Sequence, residues 1–80
     1  VGEKVLLDFM INVDSYLDNH QIKDINWPKN CLIVSLHRDG KEFIPKGDTY
    51  LKASDIIIVM CDKTDESYIY DAVSSLATEN

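Results

Sequence analysis

Arg38 is the only arginine in this 80-residue chain, and it directly follows His37. A guanidinium can hold a phosphate or carboxylate through two parallel hydrogen bonds, and a neighbouring imidazole can donate to the same anion or report pH near neutrality. His37 and Arg38 are therefore the candidate site for a small anionic or nucleotide ligand. The plainer reading is a strand-end arginine, solvated or paired with Asp39, beside a solvated histidine. Asp48, Thr49 and Asp55 carry the groups of an acid, a nucleophile or a metal ligand. Each lies in a turn sequence where Asp and Thr brace the backbone through side-chain hydrogen bonds, so a structural role is expected.

Cys31 and Cys61 each sit inside an apolar run, without CxxC spacing or a nearby histidine. They are expected to be buried core thiols rather than a disulfide or a redox pair. His20 and His37 have no second ligand at helical or strand spacing, so neither a metal nor any other cofactor is expected. The three glycines, Gly2, Gly40 and Gly47, are explained by a terminus, a hairpin and a turn. No Gly-rich phosphate loop follows a strand and no nucleophile lies in a catalytic motif, so the chain is expected not to be an enzyme.

Eighty residues supply one core and hence one domain, residues 1–80. A core of this size is only marginally stabilising, which makes a homodimer the default expectation. The apolar fraction of 45% and charged fraction of 28% are those of a folded soluble domain. Fourteen acidic residues against eight basic ones give a net charge of −6, and the basic residues are scattered. That excludes a phosphate-backbone footprint and a polybasic membrane patch, so no nucleic-acid partner is expected. The longest apolar run, Ile56 to Cys61, is far short of the ~20 residues that span a bilayer. Val1-Gly2-Glu3-Lys4 shows no export-signal pattern.

The elements that must position these groups are legible from periodicity. Val5, Leu7, Phe9, Ile11 and Val13 alternate with more polar residues and predict a strand with one buried face. Asp14-Ser15 offers an N-cap for a short helix carrying Leu17, Ile22 and Ile25, ended by Trp27-Pro28. Cys31 to His37 is a second strand, with Leu32, Val34 and Leu36 on one face and Cys31, Ile33, Ser35 and His37 on the other. Asp39-Gly40 predicts a tight hairpin into Phe43-Ile44. Pro45 to Thr49 is a loop, Tyr50-Leu51 a short extended piece, and Ala53-Ser54-Asp55 a turn. Ile56 to Cys61 is apolar throughout and predicts a central strand covered on both faces. Thr64 or Asp65 caps a last helix whose stripe is Tyr68, Ile69, Ala72, Val73, Leu76 and Ala77, with a fraying tail after it. The expected fold is α/β (α+β): a small β-α-β-β-β-α sandwich, one sheet packed by two helices.

The stretch Leu32 to Gly40, then Ile44-Pro45-Lys46-Gly47-Asp48-Thr49, then Leu51, then Asp55 to Val59 resembles the TrkA-C pattern, the C-terminal half of RCK-type subunits. In that family a strand ends in an Arg before a tight turn, a Pro-x-Gly-Asp-Thr loop follows, and an Asp opens the apolar last strand. The resemblance runs from about Glu3 to Ala77. Two positions depart from it: Asp18-Asn19 stands where the family usually has Gly-Lys, and Ser54 where it usually has Gly.

The resemblance implies a cytoplasmic regulatory domain, usually dimeric, attached to or assembled with a membrane ion channel or transporter. The segment from Ile25 to Val34 is similar to domains appended to ClC-type chloride proteins, with potassium-transport subunits a close second. Some members of the family bind cyclic di-AMP in the dimer cleft. Two readings stay open: a dimeric gate sensing a small anion, and a ligand-free assembly module of its parent transporter. An ACT-like amino-acid sensor is disfavoured, because a βαββαβ order does not place three consecutive strands between its helices.

Overall fold

The computed structural model describes residues 2–80. Four strands, β1 (Lys4–Met10), β2 (Cys31–Arg38), β3 (Lys41–Phe43) and β4 (Ile56–Asp62), precede one α-helix, α1 (Glu66–Thr78). The sheet is antiparallel throughout, in the order β1-β4-β2-β3. Its centre is β4, the most apolar and β-branched segment of the chain, as such a sequence requires. Phe9, Leu36, Ile57, Val59 and Cys61 point to the inner face, where Ile69, Val73 and Ala77 of α1 cover them. Ile11, Leu17 and Leu51, from the connecting loops, complete this core. Among the described residues, no helix is long and apolar enough to cross a membrane.

The α+β class, the sheet and the terminal helix agree with the sequence reading, but the first helix does not form. Residues 12–20 run through turns instead, and Ile22–Asp24 makes a single 3-10 turn. The backbone is left-handed at Asp14 (φ 64) and Asn19 (φ 65), which an α-helix forbids. The amides freed by this path have other work. Asn12, Tyr16 and Leu17 donate to the carbonyls of Ala77, Glu79 and Leu76, satisfying the open end of α1. The same bonds hold Glu79, so the expected fraying does not set in immediately after Ala77. At the other end of the segment, the strand that alternation extended to Val13 stops at Met10. Ile11 still inserts into the core, while Val13 is exposed.

The hairpin forms as expected, with Asp39 (φ 52) and Gly40 (φ 76) both in the left-handed region of a two-residue loop. Tyr50 makes the expected short extended contact, an isolated bridge to Gln21.

The faces of β2 depart from simple alternation. Its register on β4 slips by one between Ile33, opposite Val59, and Ser35, opposite Ile58. Val34 is the extra residue of a β-bulge, and it exchanges the faces beyond it. Cys31, Ile33 and Leu36 consequently share the inner face, whereas Leu32, Ser35 and His37 share the outer one. The expected grouping of Leu32, Val34 and Leu36 is thus corrected, since the bulge separates Leu36 from the other two.

Candidate functional site

Arg38 and Asp55 lie one rung beyond the last pairing of β2 with β4, His37 opposite Ile56. The Arg38 Nε donates to Asp55 Oδ1 at 2.8 Å, and its Nη2 donates to Asp55 Oδ2 at 2.7 Å. Nη2 also donates to the carbonyl of Tyr50 at 2.8 Å. Asp55 is 2% exposed and accepts a further bond from the Lys52 amide. A carboxylate this deep is tolerable because both of its oxygens accept from donors, the strongest being a guanidinium fork. Hydrogen bonding to Asp55 raises the Arg38 pKa, outweighing the opposite effect of desolvation. Arg38 is paired with Asp55 rather than with the neighbouring Asp39. The Nε–Nη2 edge of the guanidinium is engaged within the chain.

His37 lies on the other face of the sheet. Its Nε2 is 3.2 Å from Glu42 Oε2, and Ser35 Oγ donates to the same oxygen at 2.6 Å. The Ser35 hydrogen bond, followed by the field of His37, lowers the Glu42 pKa. His37 and Arg38, adjacent in the chain, do not converge on a common ligand, because consecutive strand residues point to opposite faces.

Asp48 lies in a turn, and Thr49 and Asp55 brace their turns through side-chain hydrogen bonds, as expected. Thr49 Oγ1 accepts from the Lys46 amide at 2.9 Å. What residue types alone missed is the Arg38–Asp55 pairing. The signal was present in the sequence, since the only arginine ends one strand and the acid opens its partner. Reading it required the register between β2 and β4.

Among the described residues, the outer face of the sheet carries exposed apolar side chains that nothing covers. Register arranges it in three rows: Leu6, Met60 and Leu32; then Asp8, Ile58 and Ser35; then Met10, Ile56, His37 and Glu42. Leu6, Met10 and Leu32 are 64%, 57% and 58% exposed. Ile56, Ile58 and Met60 are half-buried, so the expectation that β4 is covered on both faces holds only for the inner one. An open groove beside the last two rows is lined by Leu6, Val34, Phe43, Ile44 and Ile58, with His37 and Glu42 at its edge. At one corner Lys4 pairs with Asp62 at 2.7 Å.

The TrkA-C domain model matches residues 6–74. The Trk system potassium uptake protein TrkA homolog of Archaeoglobus fulgidus is 32% identical over 65 residues, 81% of this chain and 15% of that protein. TrkA homolog 2 of Methanosarcina mazei is 29% identical over 59 residues, 74% of this chain and 13% of that protein. The chain thus spans less than a sixth of either relative. A solved structure described as an RCK domain with cda superposes with a TM-score of 0.68 at 22% identity, covering 84% of this chain and 94% of that one. At that identity the likeness establishes a shared fold.

Proposed function

The chain belongs to the TrkA-C domain family, and on that premise we propose that it is a non-enzymatic regulatory and dimerisation domain on the cytoplasmic side of a membrane potassium-transport protein. The carrying observation is the outer sheet face, a contiguous surface of Leu6, Met10, Leu32, Ile56, Ile58 and Met60 with no cover in the monomer. Exposed apolar surface of this kind marks an association site. A second copy is the occupant that suits it. Two-fold pairing sets a face against itself, and this one carries charges of both signs, Lys4 against Asp8 and Glu42, around an apolar middle.

Potassium is preferred over chloride because the relatives at 32% and 29% identity are described as potassium-uptake proteins. The segment from Ile25 to Val34, which suggested a chloride parent, has a structural explanation. Trp27 Nε1 donates to the Ile22 carbonyl at 2.9 Å, and Cys31 Sγ donates to that of Pro28 at 3.4 Å.

Of the two modes of action, ligand-free assembly is favoured, because Arg38 is committed to Asp55. The ligand-sensing mode keeps one line of support, the likeness to an RCK domain solved with cda. A small anion such as cyclic di-AMP would have to use His37 and the dimer face.

The test is sedimentation equilibrium of the chain and of Leu6→Glu, with and without cyclic di-AMP. A wild-type dimer and a monomeric variant, unchanged by the nucleotide, support the assembly domain. A dimer tightened by the nucleotide at half a molecule per chain supports the sensor. A monomeric wild-type chain under all conditions overturns the proposed interface.

A further inference from the structure

Cys31 and Cys61 are 30 residues apart in the chain yet directly opposed in the β2–β4 ladder. Opposed residues of antiparallel strands point to the same face, with Cα atoms about 4.5 or 5.5 Å apart. Both spacings fall within the roughly 4.4–6.8 Å that a disulfide spans. Cys31 is half-buried at the first position of β2, and Cys61 is 3% exposed. A shallow groove opens beside both, lined also by Asn30, Leu32 and Met60. Cys31, the more exposed of the two, is the thiol that a small molecule meets more readily.

We infer that Cys31 and Cys61 form a cross-strand redox site, a dithiol that a small-molecule disulfide of the glutathione type converts to an intramolecular disulfide. In the first step the Cys31 thiolate, having released its proton, attacks one sulfur of the oxidant, joining it in a mixed disulfide and expelling one small thiolate. Cys61, deprotonated in turn, attacks the Cys31 sulfur and expels the second. The two protein thiols lose two protons and two electrons, and the oxidant leaves as two thiols.

Burial raises the pKa of both groups, assisted at Cys31 by Cys61 and at Cys61 by Asp65, Glu66 and Asp62. Raised pKa values favour the protonated thiols over thiolates at neutral pH, and exchange accelerates in alkali.

Closure has a local readout. In the dithiol Cys31 Sγ donates to the Pro28 carbonyl, holding the turn that places Trp27 against the core. A disulfide sulfur has no proton to donate, so oxidation releases that bond. Trp27 is the only tryptophan, and its emission reports the change. The two thiols lie on the inner face of the sheet, while the groove beside them is lined also by Leu32 and Met60 of the outer face.

The experiment incubates the full chain with oxidised glutathione at pH 8.5 and follows it by intact mass under non-reducing conditions. The expected product is a monomeric chain two hydrogens lighter, with no thiol titratable after unfolding, altered Trp27 emission and a higher urea midpoint, all reversed by dithiothreitol. Cys61→Ser should stop at the glutathione adduct on Cys31. Two titratable thiols after prolonged incubation, a stable wild-type adduct, or cross-links only between chains would each overturn the assignment.

Discussion

Arg38 and Asp55, 17 residues apart in the chain, are held by two parallel hydrogen bonds of 2.8 and 2.7 Å at the mouth of the core. The pair ties the end of β2 to the turn that starts β4, and through the Tyr50 carbonyl it also fixes the loop between them. Removing one partner of such a pair leaves the other without its counter-charge. Arg38→Ala is therefore expected to destabilise the chain by about 3 kcal/mol, read as a lower urea midpoint. Arg38→Lys should recover only part of this, because an ammonium cannot make the two-toothed contact. A variant as stable as wild type would show that the ion pair is not structural.

Ser54 donates its amide to Ile11 and sits at φ 76, a left-handed conformation that a Cβ disfavours. The family's usual glycine at this position now has its physical reason. Ser54→Gly should stabilise the fold by about 1 kcal/mol, offset in part by the entropy glycine adds to the unfolded chain. Differential scanning calorimetry measures it, and a lower melting temperature would contradict the argument.

Leu6 lies on the edge strand β1, at the end of the outer row it shares with Met60 and Leu32, and is not among the residues packed on the inner core. Leu6→Glu should abolish dimerisation while leaving the circular dichroism spectrum and monomer unfolding unchanged, as sedimentation and spectroscopy would show. A variant that still dimerises places the interface elsewhere.

Glu42 has a depressed pKa because Ser35 and His37 stabilise its carboxylate. A depressed folded-state pKa contributes stability above the unfolded carboxylate pKa and loses it as pH falls through the folded value. The Ser35→Ala variant should show a Glu42 titration shifted upward, seen by carboxyl carbon NMR, and a smaller acid loss of stability from this group, since the folded and unfolded values move closer together. An unmoved titration would mean that the 2.6 Å hydrogen bond is absent in solution.

The two thiols have the opposite sign. Their raised pKa values contribute stability that is complete below the unfolded thiol pKa and is lost as pH rises through the folded values. Reduced wild type should lose stability in alkali more steeply than Cys61→Ala, compared by urea titration across that range. Equal slopes would remove burial as the cause.

Local order was largely legible from the residues. Alternation from Val5 to Phe9, the Asp39-Gly40 turn, the apolar run at Ile56 and the Ile69, Val73, Ala77 stripe each express a side-chain period that the backbone imposes on its own chemistry. The ordered motifs from Leu32 to Val59 carried the family as well. Three features belonged to the tertiary structure. The segment after Asp14 gives up a helix because its amides cap the end of α1, a partner about sixty residues away. Val34 bulges only with respect to β4, and no single strand reveals an extra residue that its neighbour lacks. Arg38 finds Asp55 and Cys31 faces Cys61 for the same reason. Periodicity determines which way a side chain points, but only pairing between distant strands determines what it meets.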